Sequence, residues 1–188
     1  MVRDSRGAGA SEGVDPILDL STIVLGGGCH WCTEAVFDHL HGVSNVEQGF
    51  AASDPPSDAW SEAVRVHYDA HAIPLPVLLD IHLRTHSSTS QHSMRGKYRS
   101  AVYVEDDGAT VRRTLAELQS GFDAPLITQV LPLRAFRLNE ARFRDYYKTD
   151  PERPFCKTYI DPKLALLRRE FGAAYRPGSS AARSSGTS

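Results

Sequence analysis

The residues of this chain best equipped for chemistry crowd into one short segment, Gly26-Gly27-Gly28-Cys29-His30-Trp31-Cys32. Ahead of it lies the apolar run Ile23-Val24-Leu25, and behind it a stretch with the spacing of a helix face. Cys29 therefore falls at a strand-to-helix turn, where successive glycines free the backbone to approach a ligand closely. The first turn of a helix leaves N–H groups unpaired, and the helix dipole adds to their pull on an anion. A thiol so placed is expected to ionise more readily than an ordinary cysteine and to act as a nucleophile. Glu34, in the same turn, opposes that ionisation only if it points inward; it is expected to face solvent. Cys32 completes a Cys-x-x-Cys pair able to close a disulfide across one helical turn, as in thioredoxin-like oxidoreductases. Two plainer readings compete, a small buried apolar cysteine and a structural zinc site formed with Cys156 and a histidine. Cys156 has no second cysteine two to four residues away, which counts against zinc.

The elements that must hold this segment are legible from periodicity. Residues 20–26 read as a buried strand, and 31–40 as a helix with Trp31, Ala35, Val36 and Leu40 on one face, ended by Gly42. Strands are predicted at 43–50 and 59–68; the latter alternates Ala63, Arg65 and His67 with Val64, Val66 and Tyr68, so Glu62 shares the face of the valines. A helix follows at 73–85, its prolines Pro74 and Pro76 tolerable in a first turn. Then come a strand at 100–105, a helix at 110–119, a strand at 126–133 and helices near 140–147 and 162–171. The central order strand, helix, strand, strand, helix, strand is the split βαβ of a ferredoxin-like plait, an α+β two-layer fold with its helices on one face and a C-terminal extension.

Length and composition frame the rest. At 188 residues, with 41% hydrophobic and 23% charged residues, the chain has the make-up of one ordinary globular domain. Residues 1–16 and 177–188 are Gly-, Ser-, Ala- and Arg-rich and are expected to be disordered, leaving 17–176 as the catalytic unit. A formal charge of -2 with scattered basic residues points to neither nucleic acid nor an anionic membrane as partner. Apolar runs are too short for a transmembrane helix, and no signal-peptide pattern opens the chain. Three cysteines suit reduced thiols in the cytoplasm better than a disulfide framework. A monomer is the expectation.

Several motifs together resemble the A-type methionine sulfoxide reductases. Gly28-Cys29-His30-Trp31 followed by Glu34-Ala35-Val36-Phe37 is similar to that family's Gly-Cys-Phe-Trp signature. Gly42-Val43, Gly49-Phe50-Ala51 and Ser61-Glu62-Ala63-Val64-Arg65-Val66 with Tyr68-Asp69 follow in order. Lys97-Tyr98-Arg99-Ser100-Ala101, Asp145-Tyr146-Tyr147, Asp150-Pro151 and Phe155-Cys156 complete a likeness that spans about residues 20 to 172. The resemblance implies reduction of methionine S-sulfoxide, in oxidised proteins or as the free amino acid. In it Cys29 attacks sulfur and becomes a sulfenic acid. Glu62 protonates the departing oxygen from a carboxyl whose pKa is raised by burial, and Tyr98 donates a phenolic hydrogen bond. Trp31 walls the methyl pocket. Cys156 matches a C-terminal resolving position, and thioredoxin or another dithiol recycles the enzyme with no metal or organic cofactor.

The chain departs from that pattern at identifiable points. His30 stands where a Phe helps cage the methyl, and it could supply a missing donor. Phe50 stands where a second tyrosine would serve the oxygen, Ser93 where an Asp would, and the loop after His86 is short. Cys32 replaces a usual Gly, so either Cys32 or Cys156 can resolve the sulfenic acid, or both in relay. Two other functions remain compatible with the residues: a thiol–disulfide oxidoreductase using Cys29 and Cys32, and a redox-sensing or sulfoxide-binding module without turnover.

Overall fold

A computed structural model of the chain describes residues 20–177. The segment expected to be disordered at 1–16, and all but the first residue of that at 177–188, lie outside the described residues. Six strands form one mixed sheet: β1 (Leu20–Gly26), β2 (Val43–Ala52), β3 (Ser61–Asp69), β4 (Ala101–Val104), β5 (Gln129–Pro132) and β6 (Ala135–Leu138), in the order β5-β4-β1-β3-β2-β6. The β4–β5 pair is parallel and the other four pairings are antiparallel. Among the described residues five α-helices accompany it: α1 (His30–Asp38), α2 (Leu75–Thr85), α3 (Ala109–Leu118), α4 (Tyr146–Thr149) and α5 (Asp161–Glu170).

Alternation decides which side of the sheet carries the helices. Ile23 and Leu25 of β1, Val64 and Val66 of β3 and Val102 of β4 point to one face. There they meet Val36, Phe37 and Leu40 around α1, Leu78, Leu79 and Ile81 of α2, and Leu164 and Leu167 of α5. Each such large side chain, fully buried, contributes about 1.5–3 kcal/mol of transfer free energy, so this layer dominates the stability of the fold. The opposite face holds a small cluster of Val24, Ala51, Ala63, Ala101 and Tyr103, flanked by Leu131, Leu133 and Phe136. Between α1 and β2, Gly42 takes φ +84, and a Cβ there would stand 2.9 Å from Ala72 and Ile73, so the turn requires glycine.

Most expected elements are found within about two residues of their predicted ends, and three departures have a clear local cause. Ile73 precedes Pro74 and is steered away from helical ψ, so α2 opens at Leu75. The strand expected over 126–133 shrinks to β5 because the Ile127 N–H goes to the Ser88 carbonyl and the ladder begins only at Gln129. No continuous helix spans 140–147: a 3-10 turn over Ala141–Phe143 is followed by Asp145 at φ 53 and then the four-residue α4. The Asp145 and Tyr146 N–H groups are drawn to Glu34. Strand β6, only the four residues Ala135-Phe136-Arg137-Leu138, is too short to show a period.

Candidate active site

Cys29 is the N-cap of α1, with φ -57 and ψ 125. Its carbonyl accepts the Cys32 and Thr33 N–H groups at 3.1 and 3.2 Å, opening the helix. Its sulfur receives the Cys32 thiol and the backbone N–H groups of Trp31 and Cys32. The thiol contact, foremost, and these amides hold Cys29 below the ordinary thiol pKa, against burial and the Glu62 charge. Cys32 bears the reverse effect: the neighbouring Cys29, then burial, push its thiol far up. The pair is therefore asymmetric, one sulfur ready to carry charge and the other to donate a proton to it. Behind them Gly27 packs flat on His86, whose ring would lie 2.5 Å from a Cβ at that position.

Glu62 meets α1 at its first residue. Its Oε2 accepts the His30 N–H at 3.0 Å, its Oε1 lies 3.3 Å from the Lys97 ammonium, and the side chain is 7% exposed. Cross-strand pairing sets Phe50 of β2 opposite Glu62. The His30 ring fills the space between, edge-on to Phe50 with centroids 5.2 Å apart. A carbonyl can only accept, so the 3.0 Å contact of His30 Nδ1 with Gly49 O fixes the Nδ1–H tautomer. Burial, above all, lowers the His30 pKa. The neutral ring then presents Nε2 as an acceptor, 3.4 Å from the Asn139 amide, and not as the additional donor that its position suggested.

Glu34 reverses an expectation. Instead of facing solvent it is 2% exposed. It accepts Gln48 Nε2 at 2.8 Å and the backbone N–H groups of Asp145 and Tyr146 at 2.9 and 3.3 Å. Burial pushes its carboxyl up to about 7. Gln48 in turn accepts from Asn139 at 2.8 Å, so polar contacts run from Glu62 through His30, Asn139 and Gln48 to Glu34. The last of these pins the turn that sets Tyr146 on Trp31, stacked at 4.1 Å, while Phe155 meets Trp31 edge-on at 5.5 Å.

A cleft of about 270 Å³ opens beside the two thiols, lined among others by Tyr98, Phe155, Tyr159 and Lys163. Tyr98 thus shares a wall with Cys29 and Cys32, whereas Glu62, His30, Trp31 and Phe50 do not line this cleft. Ser93 lies in a separate 3-10 turn. Cys156 is fully buried in a π-helical turn that runs into α5. Its thiol donates to the Asp150 carbonyl at 3.6 Å, and burial foremost raises its pKa. It is close enough to Cys32 to act on that thiol's charge. No cluster of three or more His, Cys, Asp or Glu suited to a metal occurs among the described residues.

Sequence reasoning passed over Lys97, Asn139, Gln48, Tyr146 and Lys163. Lys163 had a signal: Cys156, Ile160, Leu164 and Leu167 trace one buried helical face, and Lys163 borders it. Asn139 and Gln48 had none, since each acts through partners distant in the chain.

Comparison with known proteins follows the same outline. The family model described as peptide methionine sulfoxide reductase matches residues 21–174. The peptide methionine sulfoxide reductase MsrA of Psychrobacter sp. (strain PRwf-1) is 36% identical over 171 residues, covering 81% of this chain and 97% of its own length. That of Deinococcus radiodurans is 32% identical over 184 residues, covering 88% and 89%. Among solved structures, reduced Mxr1 of Saccharomyces cerevisiae superposes with a TM-score of 0.61 at 23% identity, over 77% of this chain and 93% of that one. Mxr1 in complex with Trx2 superposes with a TM-score of 0.52 at 22% identity, over 67% and 84%.

Proposed function

The chain belongs to the peptide methionine sulfoxide reductase family, and from that premise we propose how its own residues reduce methionine S-sulfoxide, protein-bound or free. The observation that carries the proposal is Cys29 at the N-cap of α1, its sulfur receiving the Cys32 thiol and two backbone amides. Cys29 sulfur attacks the sulfoxide sulfur while Glu62 delivers a proton to the oxygen. The S–O bond of the sulfoxide breaks as its oxygen passes to the Cys29 sulfur, the new S–S bond breaks with its electron pair returning to the methionine sulfur, and methionine leaves with Cys29 oxidised to the sulfenic acid. His30 and Phe50, packed edge to face above Glu62, and Trp31 with its stacked Tyr146, are the apolar surfaces for the methyl group. Tyr98, on the cleft beside Cys29, is the phenolic donor. The His30 backbone N–H positions Glu62, while its neutral ring, in the Nδ1–H form bonded to Gly49 O, takes no part in proton delivery.

Resolution then runs through the neighbouring thiol. Cys32 attacks the Cys29 sulfenic sulfur, forming Cys29–Cys32 and releasing water. Cys156 attacks Cys32 in turn, returning Cys29 as a thiol and leaving a Cys32–Cys156 disulfide. A dithiol of the thioredoxin type reduces that bond, consistent with a fold relative solved in complex with Trx2; no metal or organic cofactor enters the balance. The catalytic unit is residues 17–176, and the run β4-β1-β3-β2 supports reading its centre as a ferredoxin-like plait extended by β5 and β6. A cytoplasmic monomer completes the proposal.

The test is turnover of the S and R sulfoxide epimers with dithiothreitol, in wild type and Cys29→Ser. Reduction of the S epimer, abolished in Cys29→Ser, is the expected result. Insulin reduction without sulfoxide turnover would instead identify a thiol–disulfide oxidoreductase. Binding without turnover would leave a sulfoxide-binding module.

A further inference from the structure

Resting on the resolution by Cys32 proposed above, we infer that Lys163 is the electrostatic partner of that step, its ammonium set in the thiol cleft to receive the charge that Cys32 must take up. Lys163 belongs to the first turn of α5, and its Nζ donates to the Thr85 carbonyl at the end of α2. That contact fixes the amine on the wall it shares with Cys29, Cys32, Thr33, His86 and Tyr98. No carboxylate lines this cleft, and the charges that act on the amine are those of Cys32, first, and Cys29. A partly buried ammonium facing two thiols and no acid is an expensive placement unless one of the thiols ionises.

The two halves of the cycle ask opposite things of Cys32. In the reductive half its thiol stays neutral and donates to the Cys29 thiolate; Lys163 interacts with Cys29 too, but less than with Cys32. Once Cys29 is a sulfenic acid, its sulfur no longer carries charge, and the leading obstacle to Cys32 ionisation disappears. Burial and the thiol of Cys156 still oppose it, and Lys163 is the neighbour that favours it. Cys32 then loses its proton, its sulfur forms the bond to Cys29, and the departing hydroxide takes a proton to leave as water. Electrons balance within the pair: the Cys29 sulfur goes from sulfenic acid to disulfide while the Cys32 sulfur is oxidised from thiol to disulfide.

No other side chain lining the cleft supplies a cation, and Arg95, whose charge also reaches His86, is tied to the Gly27, Tyr98 and Ser90 carbonyls. His82 of α2 and His86 just after its end are held neutral, foremost by burial, with Lys163 itself contributing to both. Tyr98 and Tyr159 on the cleft wall are phenols, and Cys156 behind Cys32 is a thiol. Lys163 is accordingly a positioning residue that works through the charge of Cys32.

The experiment follows one turnover without reductant, in wild type, Lys163→Met, Lys163→Arg and Lys163→Gln. Methionine release reports the first half, and trapping of the Cys29 sulfenic acid by a dione probe reports the second, both as a function of pH. Removing an opposite charge at close range moves a thiol by about one unit or more. The sulfenic acid is therefore expected to persist about tenfold longer in Lys163→Met near neutral pH, with its decay profile moved to higher pH. Methionine release should slow less than sulfenic acid decay, and Lys163→Arg should recover most of the decay rate. Lys163→Gln, which keeps a donor for the Thr85 carbonyl without the charge, should match Lys163→Met and stands in if that variant does not fold. Wild-type decay in both neutral variants, or equal slowing in Lys163→Arg and Lys163→Met, would overturn the inference. Failure of wild type to release methionine would instead count against the proposed function. Formation of Cys29–Cys156 with no Cys32 bond would overturn the role of Lys163 while leaving sulfoxide reduction intact.

Discussion

Replacing Cys32 by two different residues separates its two duties. The thiol of Cys32 is the foremost influence lowering the Cys29 pKa, and it is also the proposed resolver. Cys32→Ala removes both. Cys32→Ser keeps a hydroxyl that can donate to the Cys29 sulfur but cannot form a disulfide. A hydrogen bond to a charged group is worth about 1.5–3 kcal/mol, which corresponds to about one to two pKa units. The alanine variant should therefore shift Cys29 upward by that amount, with the Trp31 and Cys32 backbone amides still holding part of the original lowering. The serine variant should stay near wild type.

The assay is the pH dependence of Cys29 alkylation by iodoacetamide, with Cys156→Ser in every sample so that only one further thiol competes. The Cys32 thiol, pushed far up, should alkylate slowly until Cys29 is blocked. At a pH below both midpoints the alanine variant should react about ten- to a hundredfold more slowly, and methionine release in a single turnover should slow in parallel. If alanine and serine variants both titrate like wild type, the thiol–thiolate contact is not what activates Cys29, and the backbone amides of the α1 N-terminus must account for it.

Three more outcomes follow from named contacts. Glu62→Gln keeps the His30 contact but cannot deliver a proton, so single-turnover methionine release should fall about a hundredfold; an unchanged rate and pH profile would move the acid role elsewhere. Cys156→Ser should accumulate the Cys29–Cys32 disulfide after one turnover, seen by mass mapping, whereas a persistent sulfenic acid there would remove Cys32 from the path. Glu34 has a folded pKa near 7 against an ordinary value of 4.5, so its proton stabilises the fold at low pH. That contribution is lost as pH rises from 4.5 through 7, by about 3 kcal/mol, and urea unfolding of Glu34→Gln should show a flatter dependence over that window.

What could be read from the sequence was whatever depends on local spacing. The N-cap position of Cys29 follows from apolar residues on either side of three glycines, and the face of Glu62 from alternation along β3. Glu34 escaped that logic. Its helical position placed it opposite no obvious partner, because the groups that satisfy it, Gln48 and the Asp145 and Tyr146 amides, come from β2 and the C-terminal segment. The C-terminal segment itself was misread in part for the same reason. Asp145 in the left-handed region and the π-turn at Cys156 are shaped by what they dock against, and a periodicity scan sees only the chain's own repeat.

The burial of Cys156 changes what a relay requires. On a mobile strand, that thiol would reach Cys29 by diffusion of the segment, and the loop-closure cost would set the rate. Here it is already packed under α1, beside Cys32 and tied to the Asp150 carbonyl. The likeness places it as a resolver, and it lies near enough to Cys32 to act on that thiol, so in the proposed relay the oxidation passes from Cys29 through Cys32 to Cys156. A reductant then needs access only to the last disulfide. Phe155 and the half-exposed Tyr159 bracket that end of the chain at the cleft mouth. A reductant approaching from this side would reach Cys156 away from the Glu62–His30–Phe50 side proposed for the sulfoxide.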